Sequence, residues 1–311
     1  MKNQSKFVVP LTVPKDKKDL YLSNFSKITS GTGRLFLFAA DHKIEHLNKD
    51  FWDLNVACEK SCPDVPLHLF QIADQANCGA FCAQLGMISR MAAEFPKINY
   101  LIKINSKTDI NHAQTAEPMS RALCQITDVV RMRDEHGINV CGVGYSIYLG
   151  STHESEMLAE GSRIILDAQR EGLATVLWIY PRGASIVDEL DENIIAGAAG
   201  VGAALGADFV KVRVPRADST EQSAQRLVQA TRCAGNTGVI CAGGPLQAAE
   251  LVIKTLYEQI NIGGTAGCAI GRNVYQRTFS DAVIMCKAIS GVVSGDLSLD
   301  QALELVKDVK P

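Results

Sequence analysis

Eight short apolar segments alternate with longer stretches of helical spacing along this chain, and that alternation leaves few folds open. The segments are residues 34–41 (RLFLFAAD), 79–83 (GAFCA), 100–105 (YLIKIN), 138–147 (INVCGVGYSI), 174–180 (ATVLWIY), 209–214 (FVKVRV), 238–243 (GVICAG) and 267–271 (GCAIG). Helical spacing fills 157–171, 192–205, 221–232, 245–258 and 279–289. The strands are almost continuously apolar rather than alternating, which is the pattern of parallel strands covered on both faces. Eight such strands with intervening helices suit a closed (β/α)8 TIM barrel better than an open α/β sheet. The barrel proper is expected at about 34–290, within one domain spanning 1–311. Residues 1 to about 30 read as an N-terminal extension and 298–310 as an extra C-terminal helix.

Composition narrows the partners. A net charge of −3 with 47% hydrophobic and 21% charged residues supports a large core and no bias towards nucleic acid. No run reaches the roughly 18 apolar residues a spanning helix needs, so no membrane segment is expected and the chain reads as cytoplasmic. None of the ten cysteines forms a C-x-x-C pair, and Cys58 and Cys62 lack a second ligand pair for zinc. Cys78, Cys82, Cys141, Cys241 and Cys268 lie in apolar runs, consistent with a reduced compartment.

Barrel active sites sit at the C-terminal strand ends, and strand parity decides which side chains enter them. The sixth strand puts Phe209, Lys211 and Arg213 on one face. A lysine inside a barrel is costly as a cation but useful as a neutral nucleophile, and a neighbouring cation such as Arg213 would lower its pKa further. The competing reading pairs Lys211 with Asp41 or Asp208. Trp178 and Tyr180 share parity on the fifth strand, where a tyrosine hydroxyl can move protons at an aldol oxygen or simply cap the core. Lys103 and Asn105 share a face on the third strand and would suit an anionic, hydroxylated substrate, or else a solvated rim. Asp41, at the end of the first strand, points at the centre near Lys211.

Ala242-Gly243-Gly244-Pro245 and Ile270-Gly271-Arg272-Asn273 end the seventh and eighth strands. Glycines let backbone N–H groups approach an oxyanion there, and Arg272 can supply an ion pair, so Gly243, Gly244, Gly271 and Arg272 form a candidate phosphate cradle. His42-Lys43-Ile44-Glu45-His46 contains H-x-x-E-H, a zinc pattern on a helix. It follows an apolar strand directly, and no metal or other cofactor is expected.

The stretches 40–51 (ADHKIEHLNKDF), 142–151 (GVGYSIYLGS), 177–183 (LWIYPRG), 207–212 (ADFVKV) and 269–277 (AIGRNVYQR) together resemble the archaeal-type class I fructose-bisphosphate aldolases of the DeoC/FbaB aldolase superfamily. That resemblance implies a metal-free Schiff-base lyase acting on a sugar phosphate. Within it Lys211 matches the imine-forming lysine, Tyr180 the proton-transferring residue, Asp41 their polar partner and Trp178 an active-site aromatic. The glycine segments match phosphate-binding loops, and an assembly of pentamers or decamers is implied. Two departures bear on the substrate: Arg213-Val214-Pro215-Arg216 replaces a small Tyr-Thr-Gly-type turn, and Lys43 replaces a glycine. The leading expectation is reversible cleavage of fructose 1,6-bisphosphate. The alternatives are a transaldolase-like synthase or another sugar-phosphate lyase, a phosphate-binding barrel without catalysis, and a metal-dependent aldolase using His42 and His46.

Overall fold

Parallel pairing runs unbroken around eight strands, numbered here in chain order. They are β1 (Leu35–Ala39), β2 (Ala80–Gln84), β3 (Tyr100–Lys103), β4 (Val140–Leu149), β5 (Ala174–Pro181), β6 (Phe209–Val212), β7 (Gly238–Ala242) and β8 (Gly267–Ile270). Each strand pairs with its sequence neighbours, and Leu35 opposite Gly267 closes β1 onto β8, so the sheet has no edge. The (β/α)8 barrel expected from the sequence is the observed architecture. The computed structural model describes residues 8–51, 65–111 and 116–310. Cys58 and Cys62, set aside above as an incomplete zinc pair, lie outside them.

The helices begin where the local chemistry supplies a cap. Asp191 accepts from the backbone N–H groups of Asn193 and Ile194 to start α6 (Glu192–Ala204), and Ser219 accepts from that of Gln222 to start α7 (Thr220–Ala234). α5 (Glu154–Arg170) and α8 (Ala249–Asn261) turn Ile164, Ile165, Val252, Ile253 and Leu256 towards the outer faces of the strands. The shell also contains α2 (Pro66–Gln75), α3 (Leu85–Met91), α4 (Ile126–His136) and α9 (Phe279–Ser294). The expected C-terminal helix is α10 (Leu299–Val306), which packs on α8 and α9.

A second core fills the barrel itself, from Leu35, Leu37, Cys82, Leu101, Val176, Trp178, Phe209, Ile240 and Ala269. The N-terminal residues do more than extend the chain. α1 (Lys18–Ile28) closes the lower mouth: Phe25 stacks on Phe209 at 5.6 Å between ring centres and 11° between planes. Tyr21 donates to Asp208 just before β6, and Asn24 donates to the carbonyl of Gly172 just before β5. With the lower end plugged, the upper, C-terminal end is where a ligand can enter.

Several strands end earlier than the sequence pattern suggests, and two of those ends shape the upper mouth. β6 stops at Val212, ahead of Pro215, which has no N–H to continue a ladder. β3 stops at Lys103, and Asn105–Ser106 leaves the barrel to pair antiparallel with Arg121–Ala122.

Candidate active site

At the upper mouth, Trp178 of β5 lies opposite Lys211 of β6 in register. The indole reaches across the barrel because β4 has no side chain in its way: a Cβ on Gly144 would stand 2.2 Å from the Trp178 ring. Two ammonium groups share that ring, Lys211 Nζ at 5.3 Å from its centre and Lys103 Nζ at 5.2 Å. Both lysines are almost sealed from solvent, at 3% and 4% exposure.

Their partners differ. Lys103 donates to the backbone carbonyl of Asn105 at 2.8 Å and faces Asp41 at 3.9 Å. Lys211 has no carboxylate within ion-pairing reach among the described residues, and Asp208, the other acid the sequence offered it, is at the opposite end of the barrel with Tyr21 and Thr175. Burial holds the Lys211 ammonium below the ordinary lysine range; Asp41 pulls it back up and Arg272 adds to the lowering. Lys103 is lowered by burial as well, again against Asp41. For Asp41, burial alone would raise the carboxyl, but the charges of His42, Lys211 and Lys103 outweigh it and hold it below the ordinary carboxylate range. Burial lowers the His42 imidazole to about 4, against the charge of Asp41. One carboxylate oxygen of Asp41, Oδ1, is buried with no hydrogen-bond partner, as is Trp178 Nε1. Both are available to a bound hydroxylated molecule.

Tyr180 follows Trp178 on the same strand face, half-buried, with the Arg182 guanidinium 5.6 Å from its ring centre. Burial raises its phenol above the ordinary tyrosine value, and Asp41 and Glu45 raise it further against Arg182 and Arg213. The resting side chain is therefore the protonated phenol.

The two glycine turns meet beside this cluster. Gly244 sits at φ +69°, the left-handed region, and a Cβ on Gly271 would strike the Ala39 carbonyl at 2.3 Å. Asn273 ties them together: its amide donates to the carbonyls of Gly243 (2.8 Å) and Pro245 (2.9 Å) and accepts from Gln247 N (2.8 Å). Arg272 stands at the rim, 3.5 Å from Asp50.

The structure brings Lys211, Trp178, Tyr180, Asp41, Lys103 and the glycine turns to one mouth. Two expectations change. Asn105 is fully buried, and its amide is consumed by the Ser120 and Ser146 carbonyls and by Ser146 N, so it braces β3 against β4 instead of facing a ligand. Arg213 is ion-paired with Glu189, and the cation that lowers Lys211 is Arg272. The H-x-x-E-H pattern does form a helical turn, His42–Glu45, which sets the His42 and His46 rings 5.3 Å apart. Yet the ligand atoms that come within 4.8 Å of one another are those of Glu45, His46 and Asp109, without His42. Sequence reasoning passed over Gln84, which holds the Asp41 carbonyl at 2.7 Å, and Tyr148, which donates to Glu45 at 3.3 Å. Their signal was parity at the strand ends.

A plugged (β/α)8 barrel with a buried, unpaired lysine against an indole and two glycine turns defines a Schiff-base aldolase. A model for DeoC/LacD family aldolases matches residues 35–277, and the chain belongs to that family. It is 46% identical over 297 residues, 96% of this chain and 93% of the relative, to a fructose-bisphosphate aldolase/6-deoxy-5-ketofructose 1-phosphate synthase of Methanocaldococcus jannaschii. A solved fructose-bisphosphate aldolase from Slackia heliotrinireducens superposes with a TM-score of 0.92 at 45% identity, covering 100% of this chain and 97% of that one. An archaeal fructose-1,6-bisphosphate aldolase, with its catalytic lysine covalently bound to the carbinolamine intermediate, gives 0.73 at 29% identity, over 88% of this chain and 100% of that one. Among the described residues no helix is long and apolar enough to cross a membrane.

Proposed function

We propose that the chain is a class I aldolase that reversibly cleaves fructose 1,6-bisphosphate, with Lys211 forming the imine. The observation that carries this reading is the sealed Lys211 amine, with no carboxylate paired to it among the described residues and held below its ordinary pKa beside the glycine turns. The neutral amine adds to the C2 ketone to give a carbinolamine, and Tyr180 protonates the departing hydroxyl so that water leaves and the iminium forms. The phenolate then takes the C4 hydroxyl proton as the C3–C4 bond breaks and its electrons enter the iminium as an enamine. Glyceraldehyde 3-phosphate departs, and Tyr180 returns the proton to C3. Water hydrolyses the imine and releases dihydroxyacetone phosphate. Asp41 Oδ1 holds a substrate hydroxyl, Lys103 keeps Asp41 ionised, and Gly243, Gly244, Gly271 and Arg272 hold a phosphate.

A second reading keeps the imine and changes the substrate to another sugar phosphate, in a synthase or transaldolase-like reaction. The M. jannaschii relative, whose name joins both activities, favours it, as do Arg213 and Arg216 at the mouth, paired with Glu189 and Asp188. A homo-oligomer of five or ten copies in the cytoplasm accompanies either reading. Borohydride reduction in the presence of fructose 1,6-bisphosphate or dihydroxyacetone phosphate, followed by peptide mass spectrometry, should place the adduct on Lys211. Cleavage assays over a panel of phosphorylated sugars separate the two readings, and an adduct on another lysine, or none, refutes both.

A further inference from the structure

The phosphate cradle rests on a buried cation that the reaction itself does not use. Arg277 is 3% exposed, and its guanidinium makes no ion pair with a carboxylate among the described residues. Its hydrogen bonds go to three backbone carbonyls: Asn273 at 2.9 Å, Gln247 at 2.6 Å, and Lys310 in the C-terminal tail. Two of these three residues are the ones that shape the glycine turns. Asn273, itself fully buried, holds the Gly243 and Pro245 carbonyls through its amide, and its oxygen receives Gln247 N. A planar guanidinium spreads its donors over three nitrogens in a rigid fork, here one for each carbonyl, whereas a lysine gathers its donors on a single nitrogen and cannot span the same three acceptors. Asp281 and Glu250 act on this charge only through space, without an ion pair, and burial outweighs them, so an anion arriving near it relieves part of the cost.

The geometry points to Arg277 as a positioning residue for the substrate's phosphate: it locks Asn273, Gln247 and the C-terminal tail into one unit behind the Gly243–Gly244 turn and lends that turn a positive charge. This rests on the reading that the glycine turns bind phosphate, and it adds that their affinity is set from behind, by a residue that touches no substrate.

The test compares two ketones that differ only in the phosphate. Wild type, Arg277→Lys and Arg277→Met are titrated with dihydroxyacetone phosphate and with dihydroxyacetone, and the borohydride-trapped adduct is quantified by intact mass. In wild type, half-maximal trapping should need far less of the phosphorylated ketone. Arg277→Lys should raise that concentration roughly tenfold for dihydroxyacetone phosphate and leave that for dihydroxyacetone within about twofold. Arg277→Met, which also removes the charge, should exceed it. If the methionine variant does not fold, the lysine variant alone decides the matter. Equal losses for both ketones, or an unchanged preference for the phosphorylated one, would overturn the proposal. A wild type without any preference defeats the phosphate reading of the turns themselves, and this inference with it.

Discussion

Asp41 pairs with Lys103 across 3.9 Å, and that pairing leaves Lys211 as a buried amine without a carboxylate partner among the described residues. The two lysines stand over the same indole at nearly equal distances, so desolvation alone does not distinguish them. Hydrogen bonding does. Lys103 is tethered by the Asn105 carbonyl and by its acid, whereas Lys211 is tethered by neither and can lose a proton and turn to a carbonyl carbon. Lys211→Met should abolish both adduct trapping and turnover, by at least about a thousandfold. Lys103→Met should still trap an adduct, with weaker catalysis. Trapping that survives in Lys211→Met but not in Lys103→Met would reverse the assignment.

The same pairing makes a pH prediction. Imine formation needs the neutral amine, so trapping rises with pH until the Lys211 ammonium has lost its proton, and burial places that point below the ordinary lysine range. Asp41 stabilises the ammonium and works against the lowering. Asp41→Asn should therefore move the acid limb of the trapping profile to lower pH, even where overall turnover falls. The profile is read from the initial rate of reductive trapping over a pH series, and a limb that stays put or moves upward contradicts the electrostatic account.

In the proposed mechanism Tyr180 is separable from the nucleophile. Its phenol is held protonated by burial and by Asp41 and Glu45, which suits it to donate to a departing hydroxyl or to an alkoxide in the condensation direction. Tyr180→Phe should keep the adduct on Lys211 while cleavage slows by roughly 10²–10⁴-fold. Single-turnover measurements distinguish the two steps, and a variant that cleaves at the native rate would remove Tyr180 from the chemistry.

Much of this was readable in advance because parallel strands impose a period of two. Once 174–180 and 209–214 are strands of a closed barrel, Trp178, Tyr180 and Lys211 must share its interior. Parity stops being informative where the ladder stops. Arg213 lies beyond the last paired residue of β6 and turns to Glu189, some two dozen positions upstream, a partner that only the folded loop selects. Asn105 similarly leaves the barrel for a two-stranded ribbon, and its amide is spent on carbonyls from two other segments. The plug formed by α1 depends on Phe25 meeting Phe209 across the barrel floor, and no local pattern announces that contact.

Gly144 shows how tightly the interior is fitted. A methyl group there would lie 2.2 Å from the Trp178 ring and 3.1 Å from Leu101, so the indole must shift from its present place beside both lysines. Gly144→Ala should cost about 1–3 kcal/mol, the usual range for overpacking, and lower Tm by a few degrees. Trapping should slow although no charged group has changed. A variant with native Tm and native trapping would show that the ring has room to move without consequence.

The floor of the barrel carries a titration of its own. Burial pushes the Asp208 carboxyl up to about 6, against the hydrogen bonds it receives from Tyr21 and Thr175. An acid with a raised folded-state pKa holds its proton more tightly when folded. Its contribution to stability is therefore complete below the unfolded value of 3.8 and is lost as the pH rises to about 6. That loss is at most about 3 kcal/mol, from two pKa units at 1.4 kcal/mol each. Asp208→Asn keeps an oxygen for Thr175 and cannot ionise, so the fall in Tm between pH 4 and 6 should be shallower than in wild type. Tyr21→Phe removes a donor that favours the carboxylate, so the fall should extend to higher pH. Calorimetric scans of the three proteins across that window decide the point: parallel curves for wild type and Asp208→Asn would mean that the carboxyl under β6 ionises as freely in the folded chain as in the unfolded one.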